Sequence, residues 1–263
     1  MKDGFIRAAA LTPKIRVADP AYNAEQIIKG IGEAAEKGAQ LLVFPELCLT
    51  GYTCQDLFLQ ETLLSGAKEA LAKIAEHTEG LDALVFVGLP LEKDGKLYNA
   101  AAAVQDGRVL AFIPKTALPS YGEFYETRHF TPAPEQVSFL SFEGREIPFG
   151  REILFSCDCV EGLVVGCEIC EDLWAAQTPS TAHCLAGATV IVNLSASNET
   201  VGKDSYRRQL AEATSARLVT GYVYASAGDG ESTQDLVFGG HNLIAENGVL
   251  LAEAERFENR TVY

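Results

Sequence analysis

Three chemically reactive residues each close an apolar run: Glu46 follows "LLVFP", Lys115 follows "LAFIP", and Cys170 follows "LVVGCEI". The ends of buried strands are where α/β folds expose functional side chains, so three reactive types at three such ends form a more specific pattern than any one alone. Cys170 stands out because the acidic, non-strand-like "EDLW" follows it directly. A thiol nucleophile needs a base, usually histidine. The four histidines give little support for one, since His77 and His183 fall on or near helices, His241 in a strand of the final hairpin and His129 in a loop. A carboxylate base remains open.

The cysteines also permit other readings. Cys157, Cys159, Cys167 and Cys170 spell C-x-C…C-x-x-C, a pattern that resembles a zinc clip. A structural zinc site needs four ligands converging tetrahedrally, usually from turns. Here both halves read as strands. Alternation puts Leu163, Val165, Cys167 and Ile169 on one face and Val164, Gly166, Glu168 and Cys170 on the other. Cys167 and Cys170 then point apart, which argues against joint chelation and against a dithiol pair, and no metal site is expected. Seven cysteines in a chain without a secretion signal read as reduced thiols. Cys48, Cys54, Cys157, Cys159, Cys167 and Cys184 read as small hydrophobes.

The elements that would carry these residues follow from periodicity. "FIRAAALTPKI" reads as a strand. "PAYNAEQIIKGIGEAAEKGA" carries Ile27, Ile28, Ile31, Ala34 and Ala35 at helical spacing and closes at Gly38, and "QLLVFPE" follows as a buried strand. A second helix near "ETLLSGAKEALAKIAEHTEG" precedes the strand "ALVFVGLP". Hairpins are expected at Asp106-Gly107 and Asn247-Gly248, with a further turn at "KDGK". Residues 114 to 136 form a loop rich in Pro, Tyr and Glu, and "ILFSCDCVEGLVVGCEIC" reads as two strands joined at Glu161-Gly162. Then come a helix around 179 to 187, "ATVIVNLSAS", the helix "SYRRQLAEATSARLV" and "GYVYASAG". Helices mixed with tight hairpins suggest helical layers on mixed sheets rather than a purely parallel doubly wound sheet.

The 263 residues suit one sizeable α/β domain. The 21 basic against 36 acidic residues leave a net charge of −15, which opposes phosphate backbones and anionic membranes alike. Neither nucleic acid nor membrane is an expected partner. With no long apolar segment, the protein reads as cytoplasmic.

"FPELCLTGY", "IPKTALPSYGEFYE" and "GCEICEDLW" together resemble the nitrilase superfamily of carbon-nitrogen hydrolases. More narrowly, with "NLSASNETVGKDSYRR", "GYVYASAGDGES" and "ENGVLLAEAERF", the chain resembles the amino-terminal glutaminase domains of glutamine-dependent NAD synthetases over essentially its whole length. That resemblance implies a nitrilase-like four-layer αββα sandwich with mixed sheets, spanning residues 1–263 as a single domain. It implies a Glu46, Lys115, Cys170 triad, with Glu123, eight residues after Lys115, as an additional glutamate beside the lysine. It also implies glutamine held by Tyr52, Tyr121, Phe124, Glu171, Ser197 and Lys203. The implied activity is hydrolysis of the glutamine side-chain amide through a cysteine thioester, releasing ammonia for amidation of deamido-NAD, and the implied assembly is a homo-oligomer. In this chemistry Lys115 would favour the Cys170 thiolate and face the oxyanion. No "SGGxDS" pyrophosphate loop is present, so the ATP- and deamido-NAD-using synthetase domain is expected outside this chain, and no cofactor is expected here. The Pro-Glu that often follows the cysteine in stand-alone relatives is replaced by "EDLWAAQTPS". A free-standing ω-amidase or carbamoylase of the same superfamily is the alternative.

Overall fold

The computed structural model describes residues 4–263. Strand β1 (Ala8–Ala10), helix α1 (Pro20–Glu36) and strand β2 (Leu41–Val43) open the chain as a β-α-β unit. Helix α1 starts where Asp19 accepts the Tyr22 N–H at 3.1 Å and Pro20 presets the first turn. It buries Ile27, Ile31 and Ala34, the apolar stripe expected from spacing. Helix α2 (Glu61–His77) packs beside it and leads into β3 (Leu84–Lys93), β4 (Lys96–Gln105) and β5 (Arg108–Pro114). Left-handed Asp94-Gly95 and Asp106-Gly107 pairs turn these strands, as the sequence indicated.

A hairpin that the hydrophobic pattern did not reveal follows, β6 (Ser138–Phe142) and β7 (Arg145–Phe149), turning at Glu143-Gly144. It sits at the sheet edge, where four of the five β6 residues are partly buried or exposed, and Phe139 faces outward while Ser138 lies on the inner face, so the residue types do not follow the alternation of burial. The first sheet thus has seven strands in the order β1-β2-β3-β4-β5-β7-β6, parallel at one end and antiparallel in the middle.

The second sheet is built from β8 (Leu154–Ser156), β9 (Val164–Ile169), β10 (Val190–Ser195), β11 (Gly221–Ser226), β12 (Leu243–Glu246) and β13 (Val249–Glu253), hydrogen-bonded in that order. Strands β9, β10 and β11 are parallel, with antiparallel strands on both sides. Helix α3 (Pro179–Leu185) and helix α4 (Lys203–Leu218) cover its outer face.

The two sheets meet face to face. Val43, Phe86, Ala101 and Ile113 of the first pack against Val165, Cys167, Val192, Leu194 and Val223 of the second. Helices α1 and α2 close the other face of the first sheet through Ile27, Ile31, Leu71 and Ile74. The layers are therefore α, β, β, α, the mixed-sheet sandwich that the resemblance implied. The C-terminal ends of β2 and β9, and the end of β5, open on one edge of this sandwich, and Glu46, Lys115 and Cys170 follow them by one to three residues.

Candidate active site

Glu46 lies in a turn just past β2, and a glycine makes room for it. A Cβ on Gly88 of β3 would stand 2.3 Å from the Leu47 nitrogen and 2.5 Å from the Pro45 oxygen, so no larger residue lets this turn lie on the sheet. The Glu46 carboxylate is 1% exposed. Its Oε1 accepts from Lys115 Nζ at 2.6 Å and from Asn99 Nδ2 at 2.6 Å, while Oε2 accepts the Ala196 N–H at 2.9 Å.

Lys115 is fully buried, and its second partner is Glu126, whose Oε1 accepts from Nζ at 2.7 Å. Tyr52 donates its hydroxyl to the same oxygen at 2.8 Å, whereas Glu126 Oε2 is buried without a partner. Burial works against the Lys115 ammonium, yet the carboxylates of Glu126 and Glu46 outweigh it and hold the pKa well above that of free lysine. Burial pushes Glu126 up to about 7, with the Lys115 charge opposing and the Glu46 charge adding to the rise. A buried ion cluster of this kind contributes little net stability compared with apolar packing, so its place beneath a cavity points to chemistry.

Cys170 begins a short 3₁₀ turn, Cys170–Leu173, immediately after β9. Its φ is +45°, a left-handed conformation that costs a residue with a Cβ on the order of 1–3 kcal/mol. This turn breaks the strand alternation: Cys170 joins Val165, Cys167 and Ile169 in the core between the sheets instead of following Glu168 to the other face. Burial, reinforced by the Glu46 charge and opposed by that of Lys115, raises the Cys170 pKa above that of a free thiol. Its surroundings thus favour the protonated thiol. Lys115 acts on the thiol in the expected direction, towards the thiolate, but burial and the Glu46 charge outweigh it.

A cavity of about 370 Å³ opens above Cys170. Tyr121, Glu123, Phe124, Glu126, Glu171, Ser197 and Lys203 line it, together with Trp174 and Tyr206. Tyr121 donates its hydroxyl to Glu171 Oε1 at 2.9 Å. Burial raises the Glu171 pKa, and the Tyr121 bond opposes the rise. The Lys203 ammonium lies 5.5 Å from the Phe124 ring centroid and 5.3 Å from that of Trp174, donates to Asn198 Oδ1, and has its pKa lowered by burial. The cavity lining thus offers both an anion and a cation.

Residues 7–263 match the carbon-nitrogen hydrolase family. The chain belongs to that family. It is 42% identical over 254 residues to the glutamine-dependent NAD(+) synthetase of Mycobacterium tuberculosis, covering 97% of this chain and 37% of that protein. It is 32% identical to the Thermotoga maritima protein of the same name, covering 100% of this chain and 42% of that protein. Among solved structures, a glutamine-dependent NAD(+) synthetase from Cytophaga hutchinsonii superposes with a TM-score of 0.88 at 33% identity, over 98% of this chain and 42% of that one. A Nesterenkonia amidase of the nitrilase superfamily shares the fold, with a TM-score of 0.76 at 23% identity over 97% of this chain and 88% of that one. The chain spans about two fifths of the length of the synthetases it matches.

The structure brings most of the expected site residues of this carbon-nitrogen hydrolase together, with two exceptions. The glutamate beside Lys115 is Glu126, not Glu123. Glu123 is exposed on the cavity rim and accepts from Asn198 Nδ2, because the loop after Lys115 delivers Glu126 inward at a short 3₁₀ turn, Glu126–Arg128. Tyr52 is not part of the wall around Cys170. Its hydroxyl is committed to Glu126, and its ring lines a smaller adjoining cavity with Phe58 and Leu236.

Three residues that the sequence reading passed over hold the frame. Asn99 orients Glu46, and Asp172, 1% exposed, accepts the N–H groups of Ala117 at 2.7 Å and Ile169 at 2.9 Å, tying the Cys170 turn to the chain just after Lys115. Burial pushes Asp172 up to about 7 against those two bonds. Asn193 accepts the Cys170 N–H at 3.1 Å. The "CED" spacing gave a hint of Asp172, since an acidic residue two positions after a turn-forming nucleophile can cap the turn. None of the four histidines lines the cavity. Among the described residues, no group of three or more His, Cys, Asp or Glu is arranged to hold a metal ion, and no helix is long and apolar enough to cross a membrane.

Proposed function

We propose that this chain is the glutaminase portion of a glutamine-dependent NAD synthetase, cleaving the side-chain amide of glutamine. The observation that carries this reading is the buried Glu46–Lys115–Glu126 cluster beside a strained cysteine at the floor of a cavity with opposite charges on its walls.

The chemistry follows from the protonation states. Because burial and Glu46 raise the Cys170 pKa, attack on the carboxamide carbon has its proton leave as the S–C bond forms, and Glu46 is the carboxylate placed to accept it. Lys115 and the backbone N–H of Glu171 face the oxyanion of the tetrahedral intermediate. Collapse breaks the C–N bond while Glu46 returns the proton to the departing nitrogen, giving ammonia and a glutamyl thioester. Glu46 then takes a proton from water, whose oxygen attacks the thioester; the C–S bond breaks, Glu46 returns the proton to the departing sulfur, and the products are glutamate and the free thiol.

Glutamine is a zwitterion, and the cavity suits one. Glu171 pairs with the α-ammonium, Lys203 and Ser197 with the α-carboxylate, and Tyr121 and Phe124 wall the aliphatic stem. A simple uncharged amide would leave both charges unpaired, which favours glutamine over the substrates of free-standing amidases. Residues 1–263 act as one domain without a cofactor in a cytoplasmic, homo-oligomeric enzyme, and a further domain uses the ammonia with ATP and deamido-NAD.

The test is to incubate the protein with glutamine and assay ammonia and glutamate, beside Cys170→Ala and Cys167→Ala. Equal yields of both products, abolished in Cys170→Ala and retained in Cys167→Ala, are expected. Retention of turnover in Cys170→Ala would sink the reading.

A further inference from the structure

Beneath the Cys170 turn, on the helix-facing side of the second sheet, a chain of fully buried polar groups runs across three adjacent strands. Glu168 of β9, Asn193 of β10 and Tyr222 of β11 are each no more than 1% exposed, and Asn193 stands opposite Glu168 in register. Glu168 Oε2 accepts the Ser180 N–H at 2.9 Å, and Oε1 accepts the Tyr222 hydroxyl. Tyr222 Oη in turn accepts from Asn193 Nδ2 at 3.1 Å. Asn193 Oδ1 accepts the Cys170 N–H at 3.1 Å and the Ser195 hydroxyl at 2.7 Å.

The bond directions run consistently from the charged end to the Cys170 N–H. A carboxylate only accepts, so Tyr222 spends its single hydrogen on Glu168 and can present only lone pairs to Asn193. Asn193 must therefore turn its NH₂ toward Tyr222, which leaves its oxygen facing Cys170. The two ends of an amide have nearly the same shape, so packing alone does not choose between them. In a fully buried site the hydrogen-bond directions do. The oxygen end grips the peptide N–H of the residue whose left-handed φ puts its thiol between the sheets at the cavity floor.

We propose that Glu168, Tyr222 and Asn193 form a positioning relay that holds the Cys170 turn in its reactive conformation by fixing the orientation of the Asn193 amide. The proposal rests on Cys170 as nucleophile. It also assigns the Cys170 N–H to Asn193, so the oxyanion is left to other donors.

Glu168→Gln tests the relay with almost no change of shape. The Ser180 N–H keeps the new oxygen, the new NH₂ faces Tyr222, the tyrosine hydrogen swings to Asn193, and the reversed Asn193 presents NH₂ to the Cys170 N–H. Turnover number is expected to fall about tenfold to a hundredfold, as for a nucleophile displaced by up to an ångström, with KM for glutamine unchanged. Alkylation of Cys170 by iodoacetamide, followed by mass spectrometry of its peptide, should slow in parallel. Tyr222→Phe cuts the relay and leaves Cys170 and Ser195 to orient Asn193, so its loss should be smaller. The double variant Tyr222→Phe/Glu168→Gln should recover toward the Tyr222→Phe level, because the reversal no longer reaches Asn193. A merely structural role makes the two losses add. A Glu168→Gln alkylation rate within about twofold of the unmodified protein, or a double variant no better than Glu168→Gln, overturns the proposal.

If Glu168→Gln does not fold, Asn193→Asp and Asn193→Leu make the comparison instead. The aspartate keeps an acceptor for the Cys170 N–H and should alkylate at least about tenfold faster than the leucine variant, and equal rates overturn the relay. Because alkylation needs no glutamine, a failure of glutamine turnover in the unmodified protein would reject the proposed substrate and leave this series decisive.

Discussion

Lys115 lies between two glutamates, so its charge is largely spent before any substrate arrives. Burial first and the Glu46 charge second raise the Cys170 pKa against the pull of Lys115, so proton transfer to Glu46 accompanies attack. The same cluster gives Glu126 a titratable role, since burial brings it to about 7 and leaves one oxygen unpartnered. Protonation of Glu126 weakens its hold on Lys115. Turnover is therefore expected to rise with pH through about 7, and Glu126→Gln, a permanent likeness of the neutral form, should be slow and lack that rise in a kcat/KM profile. Glu123→Gln should keep it, because Glu123 touches Asn198 and not Lys115. A wild-type-like rise in Glu126→Gln would refute the assignment. At this scale Glu46, Lys115 and Cys170 were legible because each closes an apolar run. Glu126 was not: two glutamates three positions apart sit in one loop, and only the turn at Glu126–Arg128 and the Tyr52 hydroxyl decide which faces inward.

The elements place these residues through close backbone contact as much as through strands and helices. Gly88 is the clearest case, because its missing side chain is what lets the Glu46 turn rest on β3. Gly88→Ala forces the Pro45–Leu47 backbone to move and should destabilise the fold by about 1–3 kcal/mol in urea unfolding, with activity lost even in the folded fraction. Gly32→Ala is the control. It lies in α1 with nothing within 4 Å of its would-be Cβ, and should stabilise by about 0.5–1 kcal/mol with activity intact. Equal behaviour of the two variants would contradict this account. Most elements were visible in the sequence, since Asp106-Gly107 and Asn247-Gly248 mark their hairpins and Ile27, Ile31 and Ala34 mark a helix face. The β6–β7 hairpin was hidden because its residue types do not follow its burial: at this edge Phe139 faces outward and Ser138 inward. The left-handed Cys170 was hidden for another reason: strand periodicity assumes extended backbone, and the site departs from it there.

For the molecule as a whole, the pairing of two mixed sheets brings the ends of β2, β5 and β9 to one edge, so that residues 46, 115, 126 and 170 converge from distant parts of the chain. Periodicity identified strands but could not assign them to two sheets, and the sandwich was legible only through family resemblance. The chain spans about two fifths of the length of the synthetases it matches. The claim on which all this depends is that the amide carbon becomes bonded to Cys170. The most direct measurement is acid quench of the protein during turnover of glutamine, followed by mass spectrometry of its cysteine peptides. The account predicts a glutamyl thioester on the peptide containing Cys170, confined to that sulfur and absent from Cys170→Ala. Turnover with no such adduct in Glu46→Gln or the unmodified protein, or an adduct on another cysteine, would contradict it.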